Sequence, residues 1–401
     1  MPDKAHIQGV VLARGASSHA PDAPKRPARM DGSPQVASVT YAVAHRPPLD
    51  ARLDLLRLWR DNLSPSVPLD ARFDWMYRAA PAASSQVLML VATTGDGATV
   101  VGTNGVVSRV VRIAGRDVRG GISCDLAVDR DHRALAPALA LVRAVRADVG
   151  PRFDLVYGFP NAKAEGVLKR TGFHQLGRAR RWVKVLRYRR YVTGAARRSE
   201  LTGVARWLSG RPALAHAAAV VADTASAFGG RLLRLPLYVI FATAVVASPP
   251  ETLDGLWTDA RDEYPIIGDR SRAYVGWRFA MTPATRFVTI RRRGASMPDA
   301  YAAVEQDHDT GALHVRDLFG HRRALGAMVD AVLAFAWQAG ASSVSVRFLG
   351  APDVEGHLTA RGFTPRGESR CVVAAASDAV PGHAAIEDAA RWHLFDVDEE
   401  S

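Results

Sequence analysis

The second half of this chain repeats the first in its order of elements, and no other feature restricts the fold as tightly. The stretch "SVTYAVAHRPPL" is followed by "LLRLWRDNL" and "FDWMYRAAP"; further on, "LYVIFATAVVASPP" is followed by "DGLWTDARDEY" and "YVGWRFAMTP". Each series reads as an apolar strand, a Pro-Pro stop, a helix carrying Leu-Trp, and a tryptophan six residues before a proline, Trp75 before Pro81 and Trp277 before Pro283. The agreement continues: "CDLAV" around Asp125 and "RDLFG" around Asp317 each precede an Ala-rich helix, and a Gly-Phe follows 47 residues after Asp125 and 45 after Asp317. Self-similarity of this kind marks a duplicated unit. A length of 401 residues agrees with two or three domains of about 100 to 200 residues each.

Within the first copy, "QVLMLVATT", "TVVGTNGVVSRVVRI" and "VRGGISCDLAV" are β-branched runs separated by "GDG" and "AGRD". Such turns make hairpins and imply an antiparallel meander. A helix is predicted over Ala134–Ala147, then the strand "FDLVYGF", then a helix over Ala162–Thr171. Strand, helix and strand in succession imply a right-handed crossover. The expected fold class is therefore α+β, with two tandem domains, each a mixed, mostly antiparallel central sheet flanked by helices. The copies span 39–192 and 235–377, with a mobile tail at 1–38, a helical linker at 193–234 and an acidic tail at 378–401.

Composition ranks partners without fixing the fold. An apolar content of 48% supports real cores, and 52 Lys and Arg against 40 Asp and Glu give a formal charge of +12. That balance favours an anionic partner such as a nucleotide cofactor, nucleic acid or an acidic membrane face. Cys124 and Cys371 are the only cysteines, which argues against a disulfide framework and for a reducing compartment. The 12 histidines show no paired spacing, so no structural metal is expected. Residues 1–38 lack the apolar core of a signal peptide. The most apolar window, Leu232–Ser248, contains Arg234 and Pro236, so a spanning helix is not expected. A cytoplasmic protein follows, in which the linker is a packed connector; peripheral contact with the inner membrane face through its arginines and Trp207 is the alternative. The acidic "AIEDAARWHLFDVDEES" is expected to dock on the chain's own basic surface and shield a cleft.

The turn "VDRDHRALAPALAL" carries the clearest chemical signal. A strand ends at Val128, basic side chains follow at Arg130, His132 and Arg133, and Pro137 fits the first turn of the next helix. Free backbone N–H groups and the helix dipole make such a start an anion site, with a pyrophosphate as natural guest; solvated loop arginines are the alternative. Downstream, Asn161 caps the next helix after Pro160, Ala164, Val167 and Leu168 form its buried face, and Gly172 closes it. A cap residue at Asn161 also points into the same opening.

The order strand, V-D-R-D-H-R-A-L-A-P-A, helix, strand, G-F-P-N, helix, G-F resembles the GNAT acyltransferase superfamily, and the doubling resembles its tandem members, including the Fem-type peptidyltransferases. In that family the turn after the fourth strand reads roughly V-x-P-x-x-R-G-x-G-x-G/A and wraps the pyrophosphate of acetyl-CoA with its amides. The match here is Val128, Arg133, Ala134, Ala136 and Ala138; alanines replace the usual glycines, which limits how closely backbone approaches phosphate. The resemblance implies acetyl-CoA or another acyl-CoA as co-substrate, held by Leu126, Val128, Arg133, Ala134, Ala136, Ala138 and Asn161. In the second copy "GHRRALGAM", with Arg323 and Gly326, is the corresponding turn. The family's helix motif N-x-x-A-x-x-x-Y reads Asn161, Ala164 and Leu168 here, so the tyrosine that commonly protonates the departing thiolate is missing.

Acyl transfer to an amine needs a base and an oxyanion stabiliser. Ser123, Cys124 and Asp125, with Tyr157 on the neighbouring strand, are the groups at the sheet's centre. Asp125 and Tyr157 are the catalytic candidates, Asp125 as base; its alternative is a pair with Arg112 or Arg119. Cys124 has no predicted basic partner to activate it. Trp75 and Tyr77 are read as core aromatics serving packing within each copy, with an acceptor pocket as the alternative. The function expected is an acyl-CoA-dependent N-acyltransferase acting on an amine of an amino sugar or envelope precursor. The alternatives are a Fem-type transferase that uses charged tRNA and a non-catalytic module of the same fold.

Overall fold

Hairpin chemistry builds the first sheet edge as the sequence predicts. Strands β1 (Thr40–Arg46), β2 (Gln86–Thr94), β3 (Gly97–Ile113) and β4 (Arg116–Val128) pair antiparallel in chain order. The β3–β4 turn is Ala114-Gly115, with φ of 47° and 77°, the two-residue turn whose twist matches its strands. This is a computed structural model; it describes residues 39–63, 67–82, 85–188 and 239–399. The N-terminal tail and the linker with Trp207 therefore lie outside the described residues.

After β4, helix α3 (Leu135–Ala147) crosses to β5 (Leu155–Gly158), which runs parallel to β4. Helix α4 (Ala162–Arg170) and strand β6 (His174–Val185) follow. Helices α1 (Arg52–Asn62) and α2 (Leu69–Phe73), the latter continued by a π-helical turn over Asp74–Arg78, lie earlier in the chain. The two-residue period of the strands sorts their side chains between two layers. Leu88, Leu90 and Val156 pack with Leu141, Val145 and Val167 of α3 and α4, while Val87, Met89 and Val107 pack with Leu55, Trp59 and Phe73 of α1 and α2.

The second half runs β7 (Phe241–Val246), α5 (Leu253–Ala260), β8 (Ile266–Gly268), α6 (Arg272–Arg278), β9 (Arg286–Arg292), β10 (Ala300–Gln306) and β11 (Ala312–Gly320). Then come α7 (Leu325–Gln338), β12 (Ser343–Gly350), α8 (Pro352–Ala360) and β13 (Thr364–Ala376). A C-terminal segment with α9 (His383–Ile386) and β14 (His393–Leu394) ends the described chain. The architecture is mixed α+β, mostly antiparallel and flanked by helices, as the sequence implies.

What the repeat does not disclose is how its halves join. Among the described residues all strands belong to one 14-stranded sheet, ordered β1-β2-β3-β4-β5-β13-β6-β12-β11-β10-β9-β7, with β8 on β3 and β14 on β12. The last strand of each half has crossed into the other. Val373 of β13 lies opposite Gly158 of β5, Trp182 of β6 lies opposite Val346 of β12, and β6 and β13 pair with each other. The tryptophans at matching places in the two halves meet as well. Trp75 and Trp277 stack at 5.1 Å and 17°, and each indole N–H donates to the other residue's backbone carbonyl, at 2.8 and 2.7 Å. The sequence reading had each serving its own copy; instead they pack on each other, because both face the join.

The acidic C-terminal segment docks on the chain itself. Arg270 donates to both oxygens of Asp398, at 2.9 and 2.6 Å, and its Nε lies 3.0 Å from Asp317, with all three side chains fully buried. Buried charge persists only when paired in this way. His393 is buried too, with Nε2 2.8 Å from the Leu318 carbonyl, and burial pushes its pKa down to about 4.

Two measurements follow from this packing. Replacing either Trp75 or Trp277 by alanine should cost about 3–5 kcal/mol, and the double variant should fall short of the sum by about 1 kcal/mol. Additive losses in urea unfolding would mean that the stack is incidental. For His393, the folded pKa lies below the free value of about 6.5, so the neutral ring's stabilisation is complete above that pH and is lost as pH falls toward 4. Tm should fall less steeply through that window in His393→Gln than in the native chain; parallel curves would rule the ring out as a contributor.

Candidate active site

Strand β4 is paired with β3 along most of its length but with β5 only from Gly120 to Ile122. Gly158 marks the point of parting: a Cβ there would lie 3.1 Å from the Ser123 carbonyl. Pro160, which has no N–H to donate, lies two residues on, and Asn161 starts α4 by accepting hydrogen bonds from the amides of Lys163 and Ala164, both at 3.0 Å. On β4 the ladder is bulged between Thr103 and Gly105 on its partner strand, and Asp125 takes a left-handed φ of 53°. Beyond Ile122 no strand among the described residues pairs with the flank of β4 that faces β5. The starts of α3 and α4 follow the ends of these two parallel strands, so both lie at the end of the sheet where the pairing of β4 with β5 has stopped.

The turn between β4 and α3 is held from three sides. Asp129 accepts hydrogen bonds from Arg57 and Asn62 of α1, both at 2.9 Å, and the Tyr41 hydroxyl meets His132 Nδ1 at 3.0 Å. Arg133 donates Nε to the Val128 carbonyl at 3.0 Å and Nη2 to Asn62 at 2.7 Å. The sequence placed Arg133 on a phosphate; here its guanidinium staples the turn. Ala134 is the N-cap of α3 and makes no side-chain cap bond, so the first amides of the helix, at Leu135 and Ala136, have no partner within it. Pro137 occupies the third position, Ala138 follows, and Leu126 packs partly buried against the core beneath them.

Asp125 pairs with Arg72, Nη2 to Oδ1 at 2.9 Å, with a carboxylate side chain 7% exposed. The expected alternatives, Arg112 and Arg119, are engaged elsewhere: Arg112 with Asp117 and Asp262, Arg119 with Asp154. The second oxygen of Asp125 is buried without a hydrogen-bond partner. Next to it, Ser123 Oγ donates to Asn104 Oδ1 at 3.2 Å, and Cys124 Sγ lies 3.6 Å from the Gly105 carbonyl. Tyr157 is not with them. Its ring is 1% exposed, its hydroxyl lies 3.4 Å from both Arg109 Nη1 and the Asp398 carbonyl, and Arg109 also donates to Tyr274. Tyr157 therefore serves the contact between the halves, a correction to its reading beside Asp125. Leu168 is 5% exposed in the core under α4.

Sequence reasoning missed Arg72 and Asn104. Asn104 left a signal, a polar side chain inside the apolar run "TVVGTNGVVS"; Arg72 left none, because its partner lies 53 residues away. Among the described residues, no group of three or more His, Cys, Asp or Glu side chains is placed to hold a metal ion, and no helix is long and apolar enough to cross a membrane.

No family model matches the chain, and no curated protein matches it in sequence. Solved structures do match in fold. A protein of Enterococcus faecalis V583, described as a conserved protein of unknown function and probable N-acyltransferase, aligns with a TM-score of 0.56 at 10% identity over 84% of this chain and 73% of that one. A GCN5-related N-acetyltransferase from Kribbella flavida gives 0.53 at 14% over 90% and 81%. Another, from Anabaena variabilis ATCC 29413, gives 0.54 at 10% over 83% and 72%. This chain thus has the fold of the GCN5-related N-acetyltransferases.

The Arg72–Asp125 pair can be probed directly. Arg72→Met would leave a nearly buried carboxylate unpaired and should cost about 3 kcal/mol of stability, with Asp125→Asn in the same chain restoring much of it. Equal stability of the native chain and Arg72→Met in urea would show that the ion pair is not formed in solution.

Proposed function

We propose that the chain is an acyl-CoA-dependent N-acyltransferase whose co-substrate lies in the opening between β4 and β5. The observation that carries the reading is the parting of these strands beyond Ile122, with two helix starts at that end of the sheet, in a fold shared with N-acetyltransferases. Acyl-CoA suits this place: the flank of β4 at Leu126 and the Val128 amide, with which no described strand pairs, offers backbone groups to an extended amide-bearing arm while the Val128 carbonyl is held by Arg133, and the amides of Leu135 and Ala136 suit a pyrophosphate. When bound, it supplies an activated acyl carbonyl and a thiolate leaving group. Asn161 fixes the opposite lip by capping α4.

Asp125 is the proposed base. Arg72 holds one of its oxygens, leaving the other, without a hydrogen-bond partner, to take a proton from an attacking amine. The acceptor is proposed to be an amine of an amino sugar or another envelope precursor. With Leu168 in the core and Tyr157 enclosed, neither stands as the acid for the departing thiolate.

Calorimetry with acetyl-CoA and longer acyl-CoAs should show one site per chain. Leu135→Glu is the informative variant: this residue is 50% exposed at the first position of α3, where a carboxylate suits the helix dipole but opposes a phosphate. Binding should weaken tenfold or more while stability holds. Unchanged affinity would remove the turn from the site, and salt-sensitive tRNA binding in place of acyl-CoA binding would favour an aminoacyl-tRNA-dependent transferase.

A further inference from the structure

The second half contains the same opening, and a strand fills it. Strand β11 pairs in parallel with β12 from Ala312 to Val315, as β4 does with β5, and then the two separate. Into the gap comes the C-terminal segment. Leu394 and His393 of β14 pair antiparallel with Leu349 and Gly350 of β12, while the His393 ring reaches the Leu318 carbonyl of β11 at 2.8 Å. Just beyond the last paired residues, Asp396 bridges the two strands, 3.0 Å from Arg316 and 2.9 Å from Arg347.

The fit is built into the backbone. Gly350 sits where Gly158 sits in the first half, each closing its strand before a proline two residues on. A Cβ on Gly350 would lie 2.0 Å from the Trp392 carbonyl, so only glycine admits the segment. Below it, Asp398 completes the charge of Arg270, which already faces Asp317. Adding a strand to an open strand flank, with side chains seated in flanking pockets, is the way sheets take up peptides.

We infer that the opening between β11 and β12 is a peptide-receiving slot whose occupant is the chain's own C-terminal segment, Trp392–Glu399, and that the second half holds a strand where the first half takes acyl-CoA. The inference rests on the proposed function only for that last comparison. One chain then binds one acyl-CoA, and the second half contributes walls and charge.

The test uses the full chain with a specific protease site inserted between Asp378 and Ala379, both exposed on the turn after β13. After cleavage, the severed piece Ala379–Ser401 should stay with the body through gel filtration. A labelled synthetic peptide of the same sequence should exchange into the slot, and its Asp398→Asn form should bind at least tenfold more weakly. Failure of the peptide to enter a cut body that keeps its circular dichroism would overturn the inference, as would equal binding of the two peptides. Should the cut body unfold, hydrogen exchange on the uncut chain decides: the Leu394 amide should be protected, and Gly350→Ala should abolish that protection while leaving β2 and β3 protected. Loss everywhere or nowhere in that variant counts against the slot. None of these readouts uses acyl-CoA, so absence of acyl-CoA binding would sink the proposed function and the comparison drawn from it while leaving the slot standing, whereas two acyl-CoA sites per intact chain would sink this inference.

Discussion

Backbone hydrogen bonding at the middle of the sheet is the constraint on which the rest of the molecule depends. β5 is only four residues long, with β4 parallel on one side and β13 on the other. Without β13, its second flank would be a row of unpaired amides and carbonyls in the protein interior, a condition folded chains avoid. The same holds for β12 without β6. Each half therefore completes the other, and the stacked Trp75 and Trp277 add a second reciprocal contact in which both indole N–H groups are satisfied.

Local signals were legible in the sequence and pairing was not. The hairpin turns, the start of α3 around Pro137 and the Asn161 cap follow from chemistry within a few residues, and all three appear where they are expected. The repeat gave the order of elements in each half but could not say which half would supply a neighbouring strand. For the same reason, equivalent positions such as Trp75 and Trp277 were recognisable while their contact with each other was not. Asp125 was found as a candidate by its place near the centre of the sheet; its partner Arg72, like the enclosure of Tyr157 by residues near the C-terminus, depends on contacts that no local pattern encodes.

The two halves differ in how they use the same order of elements. Asp317, the counterpart of Asp125 in the repeat, is saturated: Arg270 engages one oxygen and the Tyr301 hydroxyl donates to the other. Asp125 has one of its oxygens held and one without a partner. Burial pushes the Asp317 carboxyl above the usual carboxylate range, with the Asp398 charge adding to it, so this aspartate belongs to an interior network. The two aspartates thus sit at matching places in the sequence but in different surroundings, one tied into an interior charge network and the other with an oxygen that has no hydrogen-bond partner.

The crossing of β13 also orders events in time. Val373 pairs with Gly158, so the strand that completes the first half is made only when most of the chain has left the ribosome. Until then β1 to β5 wait with one flank open, and contacts at such sequence separation form slowly. A chain built this way carries that open flank through most of its synthesis, and a stop codon ahead of β13 would leave β5 without its second neighbour although every residue of the first half had been made.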